Sequence, residues 1–199
     1  MEKKRQRFKN GAIVNINLSS DRIAFGRLIG TTIAIYDYIV AKTVIISSIE
    51  IIISKPILFY VSIYKDVILK GEFKILGVVA LTDEDIVKTP PKFHQDIMDI
   101  NDCTIFYPED RLPERKATPQ ECLRLERSAV WDDYNIVDRI EDYYAGRKNV
   151  SVELFRPILS TNDIRYNSAG LIRWDFEKEE FYKVTEEQIK EDFKNGKIN

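Results

Sequence analysis

The chain has 199 residues, of which 44% are hydrophobic and 31% are charged, so extended disorder is excluded and one folded domain of ordinary size is expected. The net charge of -2 divides unevenly: residues 1–90 carry 13 Lys+Arg against 9 Asp+Glu, whereas residues 91–199 carry 17 against 23. A basic partner for the acidic second part is one interpretation, and a mixed solvated surface is the simpler one.

The composition of the first third argues against a membrane protein. The apolar stretch over residues 28–64 is interrupted by Asp37, Lys42, Glu50 and Lys55. No uncharged run therefore approaches the roughly 18 residues that a membrane-spanning helix needs. The charged start of the chain precedes no apolar core, which argues against a signal peptide. We expect a cytoplasmic protein with no membrane partner.

Residues 10–87 are predicted to form mainly strands. The pattern gives strands over 11–18, 22–29, 33–38, 43–53, 57–64 and 73–81. Strands joined by such short connections cannot pair in parallel, because parallel neighbours need long crossovers. A curved antiparallel sheet or a small open barrel is therefore expected, with bulges or bends at Gly26 and Gly77.

An irregular connection and a first helix are predicted next. Residues 88–117 contain four prolines, which is typical of irregular structure. Thr118, Pro119 and Glu121 then match the cap, first and third positions of a capping box. We expect a helix from this box to Trp131, with Cys122 buried on its apolar side.

A second helix completes the predicted helix pair over residues 118–146. Asp132 is its candidate cap, and Ile136, Ile140 and Tyr144 lie on its apolar stripe. Gly146 is suited to the position just after its C-terminus. Two such helices would bury enough apolar surface against the sheet to belong to the fold.

The remaining residues predict a smaller C-terminal α/β extension over 165–199. Residues 171–176 and 180–184 have the pattern of a hairpin, and residues 185–195 that of a final helix. Because no repeat or low-complexity linker interrupts the chain, we expect a single domain over 1–199. Its predicted class is α+β.

No catalytic, cofactor or metal site is predicted. Cys103, Cys122 and His94 are too few and too widely spaced for a zinc or redox motif, and no phosphate-binding loop is present. The paired carboxylates lie on the polar side of a helix, where solvated charge is ordinary. These patterns favour a binding protein over an enzyme. A small β-barrel module for nucleic acid or peptide stays as the alternative, although the modest basic excess of the strand region disfavours nucleic acid.

Four segments, read in order, resemble one known family. They are residues 11–18 with 25–28, residues 34–37, residues 71–77, and residues 121–131. Together they are similar to the immunity protein 26 family of bacterial polymorphic-toxin systems, over about residues 10–146. The chain departs from the family pattern at Ala12, where Asp is usual, and at Phe73, where Trp is frequent.

The resemblance implies an antitoxin that binds and neutralises a cognate toxin domain, often a nuclease, in a one-to-one complex. An inhibitor of this kind needs carboxylates and aromatic anchors and no catalytic group. The candidate partner-binding residues are Asp132, Asp133, Tyr134, Asp138, Glu141 and Asp142, although these residues also fit a simple solvent face. Five further residues match the family pattern without an assigned role: Arg27, Tyr36, Asp37, Glu126 and Trp131. Trp131 is expected in the core.

Overall fold

The computed structural model describes residues 5–19, 21–96, 99–108, 112–160, 164–167, 170–175, 178 and 180–195. Its strands, in chain order, are β1 (Ala12–Asn17), β2 (Arg22–Ile29), β3 (Thr32–Ala41), β4 (Ile57–Ile63), β5 (Lys74–Val78), β6 (Lys92–Gln95), β7 (Cys103–Phe106), β8 (Arg115–Ala117), β9 (Glu126–Arg127), β10 (Val130–Trp131), β11 (Ile164–Asn167), β12 (Gly170–Asp175) and β13 (Glu180–Lys183). Its helices are α1 (Ile49–Ile53), α2 (Lys65–Leu69), α3 (Asp83–Lys88), α4 (Asp133–Tyr144), α5 (Val150–Phe155) and α6 (Glu186–Lys194). The predicted α+β class is confirmed.

The largest sheet has six strands in the order β10-β4-β3-β2-β1-β5. Its pairs are antiparallel except β10 with β4, and its two ends do not join, so the sheet is open and does not form a barrel. The registers shift beside Gly26 in the β2–β3 pair and beside Gly77 in the β1–β5 pair. The bulges predicted at these two glycines are therefore confirmed.

Both faces of this sheet are buried. Alternation along β1 sends Val14 and Ile16 to one face and Ile13 to the other. The first face packs against Trp131, Ile136 and other residues of the α4 side, whereas the second packs against α1. This double coverage explains why the strands read as long apolar runs.

A four-stranded sheet, in the order β8-β7-β6-β9, occupies the region predicted to be irregular. The prediction for residues 88–117 was wrong because the prolines lie outside the strands. Pro90 and Pro91 precede β6, Pro108 follows β7, and Pro113 precedes β8. The buried residues of this sheet form a core of their own: Phe93, Cys103, Ile105 and Cys122.

The strand predicted over 43–53 was also wrong. Ser48 caps a short helix there, accepting a hydrogen bond from the Glu50 backbone N–H, and Ile52 points into the core. Strand propensity of the isoleucines is overridden by this cap and by packing. The acidic run after β5 likewise begins a helix, α3, whose capping box joins Thr82 and Asp85.

The first helix of the predicted pair is replaced by extended structure. Its capping box forms as predicted, with Glu121 N–H donating to Thr118 Oγ1 over 3.3 Å. Only a 3₁₀ turn, Glu121–Arg124, follows it. Residues of β9 and β10 then pair in parallel with β6 and β4, and these backbone pairings outweigh the helical pattern. Cys122 is nevertheless buried.

The second helix of the pair, α4, has the predicted bounds and the predicted end. Gly146 has a φ of 66°, and its N–H donates to the Tyr143 carbonyl while the Arg147 N–H donates to the Asp142 carbonyl. This is the Schellman arrangement that favours glycine at this position. Helix α5, capped by Asn149, follows it and was not predicted.

The predicted C-terminal hairpin is confirmed as the antiparallel β12–β13 pair, and β11 adds a third strand. The predicted end of its first strand, Phe176, lies outside the described residues. The final helix is confirmed as α6, where the Gln188 N–H donates to Thr185 Oγ1 over 3.1 Å. Arg173 of β12 forms an ion pair with Asp192 of α6 at 2.8 Å.

Candidate functional site

Helix α4 carries most of the predicted partner-binding residues. Ile136 and Ile140 are fully buried on its inner side. Tyr134, Asp138 and Glu141 recur at intervals of four and three residues on another side, so the three share one face. Tyr134 is 60% exposed. The structure therefore places a tyrosine and two carboxylates in one row on the outside of the helix.

The N-terminus of α4 forms one wall of an acidic groove. Asp132 stands at the cap position but makes no capping hydrogen bond through its side chain, and Asp133 begins the helix. The facing wall comes from α2 and the segment before β5. A hydrogen bond from the Tyr64 N–H to the Trp131 carbonyl, 3.3 Å long, holds the two walls together. The groove has a volume of about 520 Å³ and is lined by Tyr64, Asp66, Val67, Lys70, Glu72, Asp132 and Asp133.

The groove is strongly negative. Its lining has four carboxylates and one cation, Lys70, which is paired with Asp66 at 2.9 Å. The Asp66 hydrogen bond raises the pKa of Lys70, and Glu72 and Asp132 act in the same direction. Sequence reasoning missed Asp66, Glu72 and Tyr64, because nothing in the sequence shows that α2 faces α4.

The C-terminal half of α4 forms a smaller acidic cleft of about 220 Å³ with the segment that leads into α5. Two of its carboxylates have structural bonds. Asp142 pairs with Arg147 at 2.8 Å, and Glu141 accepts a 2.7 Å hydrogen bond from the Ser19 N–H. Burial raises the pKa of Asp138, and its neighbours Asp142 and Glu141 raise it further. All three carboxylates of the cleft come from α4, and the facing segment contributes Arg147.

Arg27 and Tyr36 are buried parts of the sheet and not surface groups. The Arg27 guanidinium donates to Asp85 Oδ1 at 2.9 Å and to the Ala80 carbonyl at 3.0 Å, which fixes α3 against the strands. Burial raises the pKa of Tyr36, although the neighbouring Arg27 opposes that shift. Both residues therefore have a structural role in this fold.

Asp37 points to the opposite face of β3 from Tyr36 and contacts α4. Its Oδ1 accepts a 2.7 Å hydrogen bond from the Tyr144 hydroxyl. Burial raises the pKa of Tyr144, and the hydrogen bond to Asp37 adds to that shift. Asp37 therefore helps to position the C-terminal end of the helix that carries the acidic residues.

Glu126 and Trp131 lie beneath α4. Trp131 is 2% exposed, so its predicted core position is confirmed. Arg139, from the inner side of α4, forms a 2.5 Å ion pair with Glu126 and lies over the rings of Phe59 and Trp131, at 4.0 and 5.2 Å from their centroids. These contacts fix the orientation of α4 on the sheet.

One buried cation was missed entirely by sequence reasoning. Lys92 of β6 is 3% exposed, and its Nζ donates to Thr32 Oγ1 at 2.9 Å and to the Ser62 hydroxyl. These bonds link the four-stranded sheet to the six-stranded sheet. Burial lowers the pKa of Lys92 to about 8, against the opposing effect of Glu126.

Neither a membrane span nor a metal cluster is found in the part of the chain that the structure describes. No helix there has the length and apolar character needed to cross a bilayer. No group of three or more His, Cys, Asp and Glu side chains there is arranged to hold a metal ion.

Comparison with known proteins bears on the first half of the chain. Residues 9–104 match the family model described as Immunity protein 26. This match agrees with the predicted family over these residues. The matched range covers β1 to β6 and ends within β7, and it includes Arg27, Tyr36 and Asp37. No curated protein and no solved structure gives a significant match to the chain.

The immunity protein 26 match is shorter than the predicted resemblance, which extended to about residue 146. The fourth segment of that resemblance, residues 121–131, lies beyond the matched range, as do Glu126, Trp131 and all of α4. The family implies an immunity protein, and such families are generally not enzymatic. The matched range thus contains five of the six strands of the sheet that supports α4, and the acidic residues of α4 lie outside it.

Proposed function

We propose that this protein is an antitoxin that binds the toxin domain of a bacterial polymorphic-toxin system and neutralises it as a reversible one-to-one complex. The match of residues 9–104 to the immunity protein 26 family carries this proposal. Inhibition by occlusion needs surface complementarity and no catalytic group.

The toxin-contacting surface, in this proposal, is the acidic side of α4 together with the groove at its N-terminus. The groove supplies four carboxylates, and Tyr64 and Tyr134 are 50% and 60% exposed at its edge and on the helix face. Exposed tyrosines among charges are typical of interface anchors. Negative charge of this density suits a basic surface.

A nuclease domain is the toxin class that this surface fits best. Nucleases bind a polyphosphate backbone through clustered Lys and Arg side chains. A rigid acidic surface can compete for those cations and accelerate the encounter of the two proteins. The ion pairs and stacking that fix α4 on the sheet support such a rigid presentation.

The first test is co-expression with candidate toxin domains encoded in the same gene neighbourhood. We expect cell survival, co-purification of the two chains in equal amounts, and loss of nuclease activity in vitro once one equivalent has been added. Active toxin that is neither bound nor inhibited would contradict the proposal. Binding of the isolated protein to a labelled oligonucleotide would favour the nucleic-acid module instead.

The second test locates the contact surface by charge reversal. Asp133→Lys with Asp138→Lys changes the groove and the helix face, while Glu141 and Asp142 keep their bonds to Ser19 and Arg147. We expect the association rate to fall by roughly tenfold at low salt, with little change in melting temperature.

The matched control makes the same change of charge on a different element. Glu187→Lys with Glu191→Lys alters two exposed acidic residues of α6. It should leave the association rate within about a factor of two, because α6 is not part of the proposed contact surface. Equal effects of the two pairs would show a response to net charge alone and would remove α4 from the interface.

A further inference from the structure

Cys103 and Cys122 lie together in the core of the four-stranded sheet. Both side chains are fully buried, and both thiols are free. They pack in one cluster with Phe93 and Ile105, and the Cys103 thiol donates a 3.7 Å hydrogen bond to the Ile100 carbonyl. The two thiols are close enough that each shifts the pKa of the other. Residues that are distant in sequence thus form an adjacent pair of thiols inside an apolar cluster.

Backbone hydrogen bonding holds each member of the pair in place. Cys103 belongs to β7 and is paired with Ala117 of β8. The capping box of Thr118 and Glu121 turns the chain directly after β8, and the Cys122 N–H donates to the Pro119 carbonyl at 3.2 Å. The turn therefore returns Cys122 to the strand that carries Cys103.

We propose that Cys103 and Cys122 are a redox-responsive pair that closes to an intramolecular disulfide when the protein meets a low-molecular-weight disulfide such as glutathione disulfide. The bond would tie the β7–β8 hairpin to the turn that follows it. This site is independent of the proposed toxin contact on α4.

Glutathione disulfide is the only oxidant that disulfide formation needs. One cysteine thiolate attacks glutathione disulfide, forms a mixed disulfide and releases one glutathione. The second thiolate then attacks the protein sulfur of that mixed disulfide and releases the other glutathione. The two protein thiols together lose two electrons and two protons, and glutathione disulfide becomes two molecules of glutathione.

Local opening of the hairpin controls how fast the pair reacts. Desolvation raises the pKa of Cys103 and raises that of Cys122 to about 12, where the neighbouring thiol adds to the shift. Since the thiolate is the attacking species, the closed fold reacts slowly. Opening exposes the thiols, and reclosing brings them together.

The test uses the full reduced chain with glutathione disulfide at about pH 8.5, near the ordinary pKa of a free thiol. Alkylation, intact mass and peptide mapping should show a monomer that has lost two hydrogens and links the Cys103 and Cys122 peptides. Its urea midpoint should exceed that of the reduced protein, since the bond restricts the unfolded chain. Cys103→Ser and Cys122→Ser should each take up one glutathione and form no internal bond.

Two results would overturn the proposal. The first is failure of the wild-type protein to form the internal bond: it carries a glutathione on each cysteine or forms linked dimers instead. A wild-type protein that stays a dithiol in mildly denaturing urea, where the Ser variants react, counts as the same failure. The other comes from forming the bond in full denaturant and then refolding. If the oxidised chain fails to regain the circular dichroism spectrum of the reduced protein, the native fold does not accommodate the disulfide.

Discussion

Lys92 should make the stability of this protein rise with pH in a range where most proteins lose stability. The ammonium is buried between the two larger sheets, with the hydroxyls of Thr32 and Ser62 as its acceptors and Glu126 as the neighbouring charge that favours its protonated form. Desolvation dominates and lowers the pKa of Lys92 to about 8 in the folded chain, against an ordinary value of 10.5.

The sign and size of the effect follow from linkage. Below pH 8 both the folded and the unfolded chain hold the proton, and the cost of the buried charge is fully present. Between pH 8 and 10.5 only the unfolded chain holds it, so the free energy of unfolding increases with pH, in total by about 3 kcal/mol. Up to pH 9.5 the increase is about 2 kcal/mol.

Urea unfolding of wild-type protein and Lys92→Met between pH 7.5 and 9.5, followed by tryptophan fluorescence, measures this increase. The difference between the two proteins is the informative quantity, because buried tyrosines with raised pKa values, such as Tyr36 and Tyr60, make both proteins less stable as the pH rises. Over this range we expect the free energy of unfolding of the wild type to rise by about 2 kcal/mol relative to that of the variant. A constant difference across the range would show that Lys92 keeps an ordinary pKa, and the reasoning from its burial would be refuted.

Three substitutions test other parts of the fold by urea denaturation. Trp131→Ala should cost about 3–5 kcal/mol, because it removes a buried ring from the main core and leaves a cavity. A small loss of stability together with lost toxin binding would make Trp131 an interface residue instead. Gly11→Ala should cost on the order of 3 kcal/mol or more, since a Cβ there would lie 2.0 Å from the Val79 carbonyl oxygen at a φ of +75°. Its control, Gly146→Ala, has a φ of +66° and open space around it, and should cost only about 1 kcal/mol; equal costs would refute the steric argument. Tyr144→Phe removes the hydrogen bond to Asp37 and should cost about 1 kcal/mol, and no loss would show that this bond does not help to hold α4.

Local patterns determined the elements whose signals lie within a few residues. The alternation in β1 and β2, the bulge glycines and the C-terminal glycine of α4 were all predicted correctly. In each case the physical cause is local: side-chain alternation, a missing Cβ, or a left-handed backbone conformation. The acidic stripe of α4 was predictable for the same reason.

Pairing partners were decided only by the tertiary structure. The capping box at Thr118 and Glu121 was read correctly, yet β9 and β10 follow it because strands β6 and β4 offer open edges to pair with. Residues 88–117 form strands although their prolines suggested otherwise, since those prolines lie between the strands. In both cases the strands pair with residues that are distant in sequence, so a local pattern does not contain the information.

The candidate site also has a part that the sequence predicts and a part that only the tertiary structure reveals. The sequence by itself determined that α4 is a helix with Tyr134, Asp138 and Glu141 on one face, because helical periodicity fixes which residues share a face. Only the tertiary structure brought the α2 side of the groove, with Asp66, Glu72 and Tyr64, opposite the N-terminus of α4. It also buried Lys92 between two sheets and placed Arg27 under α3. These groups are distant in sequence and meet through packing and long-range electrostatics, which depend on where the whole chain goes.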